Sequence, residues 1–197
     1  MKKLNFRKPV FFIMCISLGI TVNVLCSIFA RNSFIPLYLD SIMTFAVTAA
    51  CGLWGGILCA LLSNIVLWIF YNTALPFTVC HILTAITVWL TIKCSKNHEL
   101  TFEVFLWAGL WTALVNTISG NIIISLLTSS STSPNADNSV QCIFLAIPNL
   151  NFAVYFSGLI SNLTDKMISA ALSYVMFKGI SRLGIFFQIK AKKSEAQ

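Results

Sequence analysis

The stretch that decides the fold runs from Ser41 to Ile92 and reads SIMTFAVTAACGLWGGILCALLSNIVLWIFYNTALPFTVCHILTAITVWLTI, 52 residues without a charged side chain. A helix that crosses a bilayer needs about 20 mostly apolar residues, so this stretch holds more than one crossing and must contain turns. The natural breaks are Gly52–Gly56 (GLWGG) and Tyr71–Pro76 (YNTALP), because glycine and proline interrupt helices. The stretch therefore predicts membrane helices joined by tight turns.

The composition of the whole chain agrees with this interpretation. The 197 residues are 57% hydrophobic and 10% charged, whereas soluble domains carry about 25% charged residues. This argues against a soluble enzyme, a nucleic-acid-binding domain, a disordered chain and a disulfide-stapled secreted domain. The sequence contains no nucleophile-elbow, zincin or phosphate-loop motif, so we predict neither an enzyme nor a cofactor. The seven cysteines lack metal-site spacing, and we interpret them as small packing residues.

The remaining charge-free stretches complete a set of six candidate spans. We predict one all-α membrane domain over residues 1–197, a bundle that crosses the membrane six times. The predicted spans are Pro9–Ala30, Ile35–Cys51, Gly55–Phe70, Leu75–Ile92, Phe102–Leu127 and Ser157–Ile180. Between the last two, Ser129–Asp137 predicts a polar loop and Cys142–Phe156 a folded loop or short interfacial helix.

Basic residues indicate how the bundle is oriented. The N-terminal tail, the loop after the fourth span and the C-terminal end carry eleven Lys and Arg, whereas the opposite loops carry one, Arg31. Because cytoplasmic loops of membrane proteins are enriched in Lys and Arg, both termini are predicted to be cytoplasmic. The first apolar run exceeds a signal-peptide core, so it is expected to be a retained span. The net charge of +7 then needs no nucleic-acid partner.

Polar residues within the predicted spans lie at the middle or in the outer half, and the cytoplasmic halves are almost purely apolar. Ionisable groups in a membrane are costly and tend to be functional, so this asymmetry predicts a pocket open to the outside. The candidate ligand-binding residues are Asp40, Asn64, Trp68, His81, Asn116, Asn121, Asn162, Asp165 and Lys166. Among them, Lys166 would meet an anionic or acceptor group, Asp40 a donor, and Trp68 would stack on the ligand.

These residues also have ordinary structural interpretations. Asp40 could cap the second helix, the Asn side chains could join helices, Lys166 could snorkel to the interface and His81 could be a satisfied buried histidine. Asp165 and Lys166 are adjacent, so their side chains leave a helix about 100° apart, and we do not expect them to form a facing pair.

Small residues recur at four-residue spacing on the first helix. Cys15 and Gly19 share one face, and Ser17 and Thr21 share another. Such faces let helices approach closely, either inside the bundle or against another membrane protein.

Three segments resemble a known family. Ile35–Leu62 (IPLYLDSIMTFAVTAACGLWGGILCALL) resembles the signature of the substrate-binding S components of energy-coupling factor transporters. Leu75–Ala85 (LPFTVCHILTA) is similar to the start of their fourth helix, and Ser161–Lys178 (SNLTDKMISAALSYVMFK) to their last helix, which often carries an Asp-Lys pair. The resemblance covers somewhat under a third of the chain, and Asp40, Asp165 and Lys166 match its motif positions.

The resemblance implies a six-helix bundle in the bacterial cytoplasmic membrane that binds one vitamin-like ligand near its outer face. The implied partners are a transmembrane coupling protein and two cytoplasmic ATPase subunits. In the family, an Ala-x-x-x-Ala face on the first helix docks the coupling protein, and here Cys15 with Gly19, or Ser17 with Thr21, would take its place. Riboflavin, pyridoxine, pantothenate and a modified base suit the pocket residues about equally.

The expected mechanism is capture at the outer half, followed by reorientation of the whole bundle to release the ligand inside. The segments Ala30–Pro36 and Thr128–Phe156 would close the pocket, and Lys166→Ala should weaken binding without loss of folded protein. Two alternatives stay open: an ion-coupled secondary transporter, and a membrane sensor or assembly protein without a transported ligand.

Overall fold

The computed structural model describes residues 9–33, 37–95, 100–127 and 134–194, and these are almost entirely helical. The helices are α1 (Pro9–Asn32), α2 (Ile42–Phe70), a short 3-10 turn (Leu75–Phe77), α3 (Thr78–Cys94), α4 (Phe102–Leu127), α5 (Pro134–Ala146) and α6 (Leu150–Ser194). The described ranges contain no strand, which confirms the prediction of an all-α protein.

In the part of the chain that the structure describes, four helical stretches are long and apolar enough to cross a membrane. They are α1, α2 taken as one element, Leu75–Cys94 and Phe102–Leu126. Between 33% and 39% of the residues in their most apolar parts are buried, so most of their apolar side chains face away from the protein interior. Large apolar residues such as Trp54 and Leu126 are more than 70% exposed. Because soluble proteins rarely expose so much contiguous apolar surface, the chain is a membrane protein.

Helix α2 reverses direction at Gly52, the residue at which the predicted GLWGG break begins. Gly52 has a φ of 81° and a ψ of −176°, a backbone region that is essentially restricted to glycine. A Cβ atom on Gly56 would overlap the side chain of Thr48, although residues eight apart on a straight helix are separated by about 12 Å. The two arms of α2, residues 42–51 and 53–70, therefore form a hairpin.

We expect Gly52→Ala to lower the free energy of unfolding by about 1–3 kcal/mol, because alanine is strained in this backbone region. Within the described ranges, no atom packs within 4 Å of a Cβ built on Gly52, so the effect comes from the backbone alone. Gly179→Ala is the matched control, since Gly179 also has open space but lies in helical backbone, where alanine is the better helix former. Thermal unfolding in detergent measures both, and equal effects would contradict this account of Gly52.

The predicted start of the second span is wrong. Ile35 was expected to begin a helix, but α2 begins at Ile42 and residues 37–41 are not helical. Leu39 has a φ of 46°, in the left-handed region that non-glycine residues rarely adopt. The segment 37–41 therefore enters the bundle as non-helical chain.

The interpretation of the region before the last span also needs correction. Residues 134–137 were expected to form part of a polar loop, but α5 begins at Pro134, a residue that suits the first position of a helix. Residues 147–149 separate α5 from α6, and Pro148 accounts for that break. Helix α6 begins at Leu150 instead of Ser157, so the segment Cys142–Phe156, predicted as a folded loop or a short interfacial helix, is helical except at residues 147–149.

Asn23 joins α1 to both arms of α2. Its side chain is fully buried, and its Nδ2 donates to Thr44 Oγ1 at 3.1 Å and to Ser63 Oγ at 3.3 Å. Its Oδ1 accepts a hydrogen bond from the backbone N–H of Met43 at 2.8 Å. A single polar side chain thus fixes where α1 lies on the hairpin, the structural role considered above for asparagine in a membrane bundle.

The two small-residue faces of α1 have different surroundings. Cys15 and Gly19 are buried, and a Cβ on Gly19 would lie 2.6 Å from the sulfur of Cys59. Ser17 and Thr21 are exposed. The first face therefore packs inside the bundle, and the second is free to meet a partner.

Candidate functional site

A cavity lined by both polar and apolar residues lies at the end of the bundle where α1 and the hairpin of α2 end and α3 begins. Its volume is about 80 Å³, enough for roughly five water molecules. Seven of the nine residues predicted to bind a ligand line this cavity: Asp40, Asn64, His81, Asn116, Asn121, Asn162 and Lys166. They come from separate parts of the chain, so the fold brings together groups up to 126 positions apart in sequence.

Trp68 and Asp165 do not line the cavity. Trp68 is 45% exposed on the outside of the bundle, because the buried stripe of this arm follows Ser63, Asn64 and Leu67. The aromatic side chains at the cavity are instead Tyr38 and Phe77. Asp165 is fully buried behind the cavity wall.

All three ammonium hydrogens of Lys166 have partners within the protein. Its Nζ lies 2.7 Å from Asp165 Oδ2, 2.9 Å from Ser41 Oγ and 3.2 Å from Asp40 Oδ1. The side chain is almost completely buried, so two carboxylates and a hydroxyl replace its hydration. Lysine has three donors and no acceptor, and the expected bond from Lys166 to a ligand therefore has no donor left to form it.

Asp165 anchors the non-helical segment that precedes α2. Its Oδ1 accepts hydrogen bonds from the backbone N–H groups of Tyr38 at 3.0 Å and Leu39 at 2.7 Å. Its Oδ2 pairs with Lys166, so the expectation that these two neighbours do not form a pair is wrong. The four-carbon stem of lysine spans the 100° between the two side-chain directions on the helix.

Asp40 completes the charged cluster by bridging Lys166 and His81. Its Oδ2 lies 3.2 Å from Nε2 of His81, while its Oδ1 accepts from Lys166. Asp40 lies in the segment before α2, outside the spanning helices. Burial acts to raise the pKa of its carboxyl, but the interactions with His81 and Lys166 outweigh burial and hold that pKa below its ordinary value. Asp40 is therefore ionised in the cluster.

The hydrogen bonds around Asn116 fix the orientation of its amide. Thr84 Oγ1 donates its hydrogen to the carbonyl of Cys80 at 2.9 Å, so it can only accept from Asn116. The Nδ2 of Asn116 provides that bond at 3.0 Å. Consequently the Oδ1 of Asn116 is the free atom, and it is buried without a hydrogen-bond partner.

Other asparagines at the cavity have structural bonds of their own. Asn64 donates to the carbonyl of Ala74 at 3.2 Å and to Thr78 Oγ1 at 3.0 Å, which ties the end of α2 to the start of α3. Asn162 donates to the carbonyl of Gly158 at 2.9 Å. These two side chains combine a structural role with a place on the cavity wall.

Sequence reasoning missed several residues that line the cavity, among them Arg31 and Gly120. Arg31 was interpreted only as a loop charge, yet it lines the cavity from the last turn of α1. Gly120 also lines it, and no atom of the described residues packs within 4 Å of a Cβ built there. The sequence did contain a reason to consider Arg31 as a ligand-binding residue, because it is the one basic residue of the loops at the predicted outer side.

The two segments expected to close the pocket are described in part. Residues 34–36 and 128–133 lie outside the described residues. In the remainder, α5 packs against α6. In the described part of the chain, no three His, Cys, Asp or Glu side chains are placed to hold a metal ion.

Comparison with known proteins identifies no family for this chain. No protein-family model matches the chain, and neither a curated protein nor a solved structure matches it.

Proposed function

We propose that the chain is the substrate-binding subunit of a vitamin or micronutrient importer of the energy-coupling factor type, located in a bacterial cell membrane. The observation that carries the proposal is the convergence of seven separately predicted polar residues on one cavity at one end of the bundle. Two of these residues, His81 and Asn116, keep a buried polar atom that has no partner among the described residues, and a small polar ligand would provide one.

The charge distribution supports capture from the outer side. The cavity lies at the end of the bundle opposite the start of α1, the end of α3 and the later part of α6. The eleven Lys and Arg that predict the cytoplasmic side lie in these parts of the chain or next to them in sequence. A ligand bound in the cavity would therefore arrive from outside, and release inside would require the bundle to reorient against its coupling protein.

A substitution that fills the cavity tests this proposal. Gly120→Phe places an aromatic ring into open space on the cavity wall, so it should prevent ligand capture while the protein still folds. Gly179→Phe is the matched control, because it adds the same ring where a Cβ also has open space, away from the cavity. Native purification followed by mass spectrometry of bound small molecules is the measurement.

We expect the unaltered chain and Gly179→Phe to retain a small molecule, and Gly120→Phe to lose it. The unaltered chain should also copurify with ATPase subunits when expressed with the genes that neighbour its own. A chain that carries no small molecule and fails to copurify with ATPases would contradict the proposal.

The buried cluster of Asp40, His81, Asp165 and Lys166 favours one second candidate, an ion-coupled secondary transporter. Ionisable groups paired within a membrane often belong to proton relays. Reconstitution of the purified chain into vesicles without partners distinguishes the two candidates. If a proton gradient alone drives uptake of the copurifying molecule, the secondary transporter is supported. If uptake occurs only after the ATPases and ATP are added, the importer subunit is supported.

A further inference from the structure

We propose that the ligand of this cavity is a small water-soluble molecule with an anionic group, a carboxylate or a phosphate, that binds Arg31. The same molecule carries an N–H or O–H that donates to Oδ1 of Asn116. This inference rests on the proposed function and names the substrate class of the same site.

The first step is the difference between the two permanent cations at the cavity. The donors of Lys166 are all taken by Asp40, Ser41 and Asp165. Arg31 makes no ion pair with any carboxylate of the described residues, and its Nε is buried without a hydrogen-bond partner. An incoming anion therefore finds an uncompensated charge at Arg31 and none at Lys166.

The second step is how Arg31 is held. Its guanidinium carbon lies 4.3 Å above the centre of the Tyr71 ring. A cation–π contact of this kind orients the guanidinium without neutralising its charge. The planar donor set of arginine matches the oxygens of a carboxylate or phosphate, which is why an anion suits this position better than a neutral acceptor.

The third step is the distribution of unsatisfied polar atoms. Among the described residues, six buried side-chain nitrogen or oxygen atoms lack a partner. Three are hydroxyls, which can rotate to find one. The other three are Nε of Arg31, Nδ1 of His81 and Oδ1 of Asn116, and all three residues line the cavity. A buried polar atom without a partner destabilises the protein, so a ligand that meets these atoms recovers that cost.

The chemistry of the ligand follows from these atoms. Asn116 Oδ1 can only accept, so the ligand presents a donor there. His81 and Asn116 are each 5% exposed, which places this end of the ligand deep in the protein. Arg31 lies in the last turn of α1, near the end of the bundle. The ligand thus enters with its donor end first and leaves its anionic group at Arg31.

The test compares binding of small molecules from an aqueous bacterial metabolite extract that has been freed of lipid. The full-length chain is immobilised in detergent, incubated with the extract, washed, and the bound molecules are identified by mass spectrometry. The variants are Arg31→Gln, Arg31→Lys and Asn116→Leu. Lys93→Gln is the matched control, because Lys93 also lies over an aromatic ring, that of Trp89 at 4.1 Å, at the opposite end of α3.

We expect the unaltered chain to enrich molecules with a carboxylate or phosphate and a hydrogen-bond donor. Arg31→Gln should reduce that enrichment about 10- to 100-fold, Asn116→Leu about tenfold, and Arg31→Lys less than Arg31→Gln, because it keeps the charge. Lys93→Gln should leave it unchanged.

This inference would be overturned if the unaltered chain enriched uncharged or cationic molecules. It would also be overturned if Arg31→Gln enriched the same anions as the unaltered chain. Either result would leave the proposed function standing. Residual phospholipid as the bound anion would overturn it as well, because the proposal commits to a soluble ligand. Absence of any enriched molecule on the unaltered chain would defeat the proposed function and this inference with it.

Discussion

Replacing Lys166 with methionine is expected to lower the free energy of unfolding by about 3–5 kcal/mol and to abolish ligand capture. The substitution leaves the carboxylate of Asp165 buried without a countercharge and that of Asp40 with His81 alone. A buried carboxylate without its partner is far more costly than the original pair. Thermal unfolding in detergent, followed by tryptophan fluorescence, measures the stability, and mass spectrometry of copurified molecules measures capture.

Two further variants separate the charge effect from the loss of a side chain. Lys178→Met removes an exposed lysine from the same helix and should change the unfolding temperature little. Adding Asp165→Asn to Lys166→Met removes one uncompensated charge and should recover part of the lost stability. If Lys166→Met were as stable as Lys178→Met, the cluster would not be the stabilising unit described here.

The hydrogen bonds of Lys166 revise one expectation from the sequence. Lys166→Ala was expected to weaken binding without loss of folded protein, as for a residue that contacts only the ligand. Its three bonds within the protein make Lys166 a positioning residue instead. The variants Gly120→Phe and Arg31→Gln are therefore better probes of binding, because neither residue takes part in the charged cluster.

Replacing Gly19 with leucine is expected to destabilise the bundle by about 3 kcal/mol or more, whereas Ser17→Leu should be nearly neutral. The first added carbon on Gly19 would already lie 2.6 Å from Cys59 Sγ and 3.2 Å from Val47 Cγ2, so a leucine forces α1 away from the hairpin. Ser17 lies on the exposed side of the same helix, where an added apolar side chain meets lipid. Unfolding temperatures of the two variants in detergent provide the comparison.

The same pair of variants tests the proposed partner. If the Ser17 and Thr21 face binds a coupling protein, Ser17→Leu should fold normally and copurify with less of it. Loss of copurification in Gly19→Leu alone, with Ser17→Leu unaffected, would mean that α1 contributes only to the internal packing of this chain.

Much of the helical frame could be predicted from the sequence. The predicted fifth span, Phe102–Leu127, coincides with α4, and the predicted first span ends two residues before α1 does. Charge-free apolar stretches locate such helices because the free energy of membrane insertion depends mainly on which residues a stretch contains. Helix starts near Pro36 and Pro148 were predicted poorly, since local composition says little about a backbone that is held by distant side chains.

The site was predicted as a set of residues but not as a set of bonds. Depth along each span identified Asp40, His81 and Lys166, because burial of ionisable groups is rare enough to mark them. The depth of a residue along its span does not show which hydrogen-bond donors remain free. The sequence therefore assigned the anion to Lys166, although its three hydrogens are bonded to groups within the protein. It also placed Trp68 at the ligand and passed over Arg31.

The sequence by itself determined that this is an all-α membrane protein whose polar residues concentrate towards one end of its helices. These properties depend on composition and on position along the chain, which are local quantities. Only the tertiary structure decided that Asp165 holds the segment before α2 and that Arg31 keeps an unpaired buried nitrogen. The reason is that helix rotation and side-chain partners depend on contacts between residues far apart in sequence.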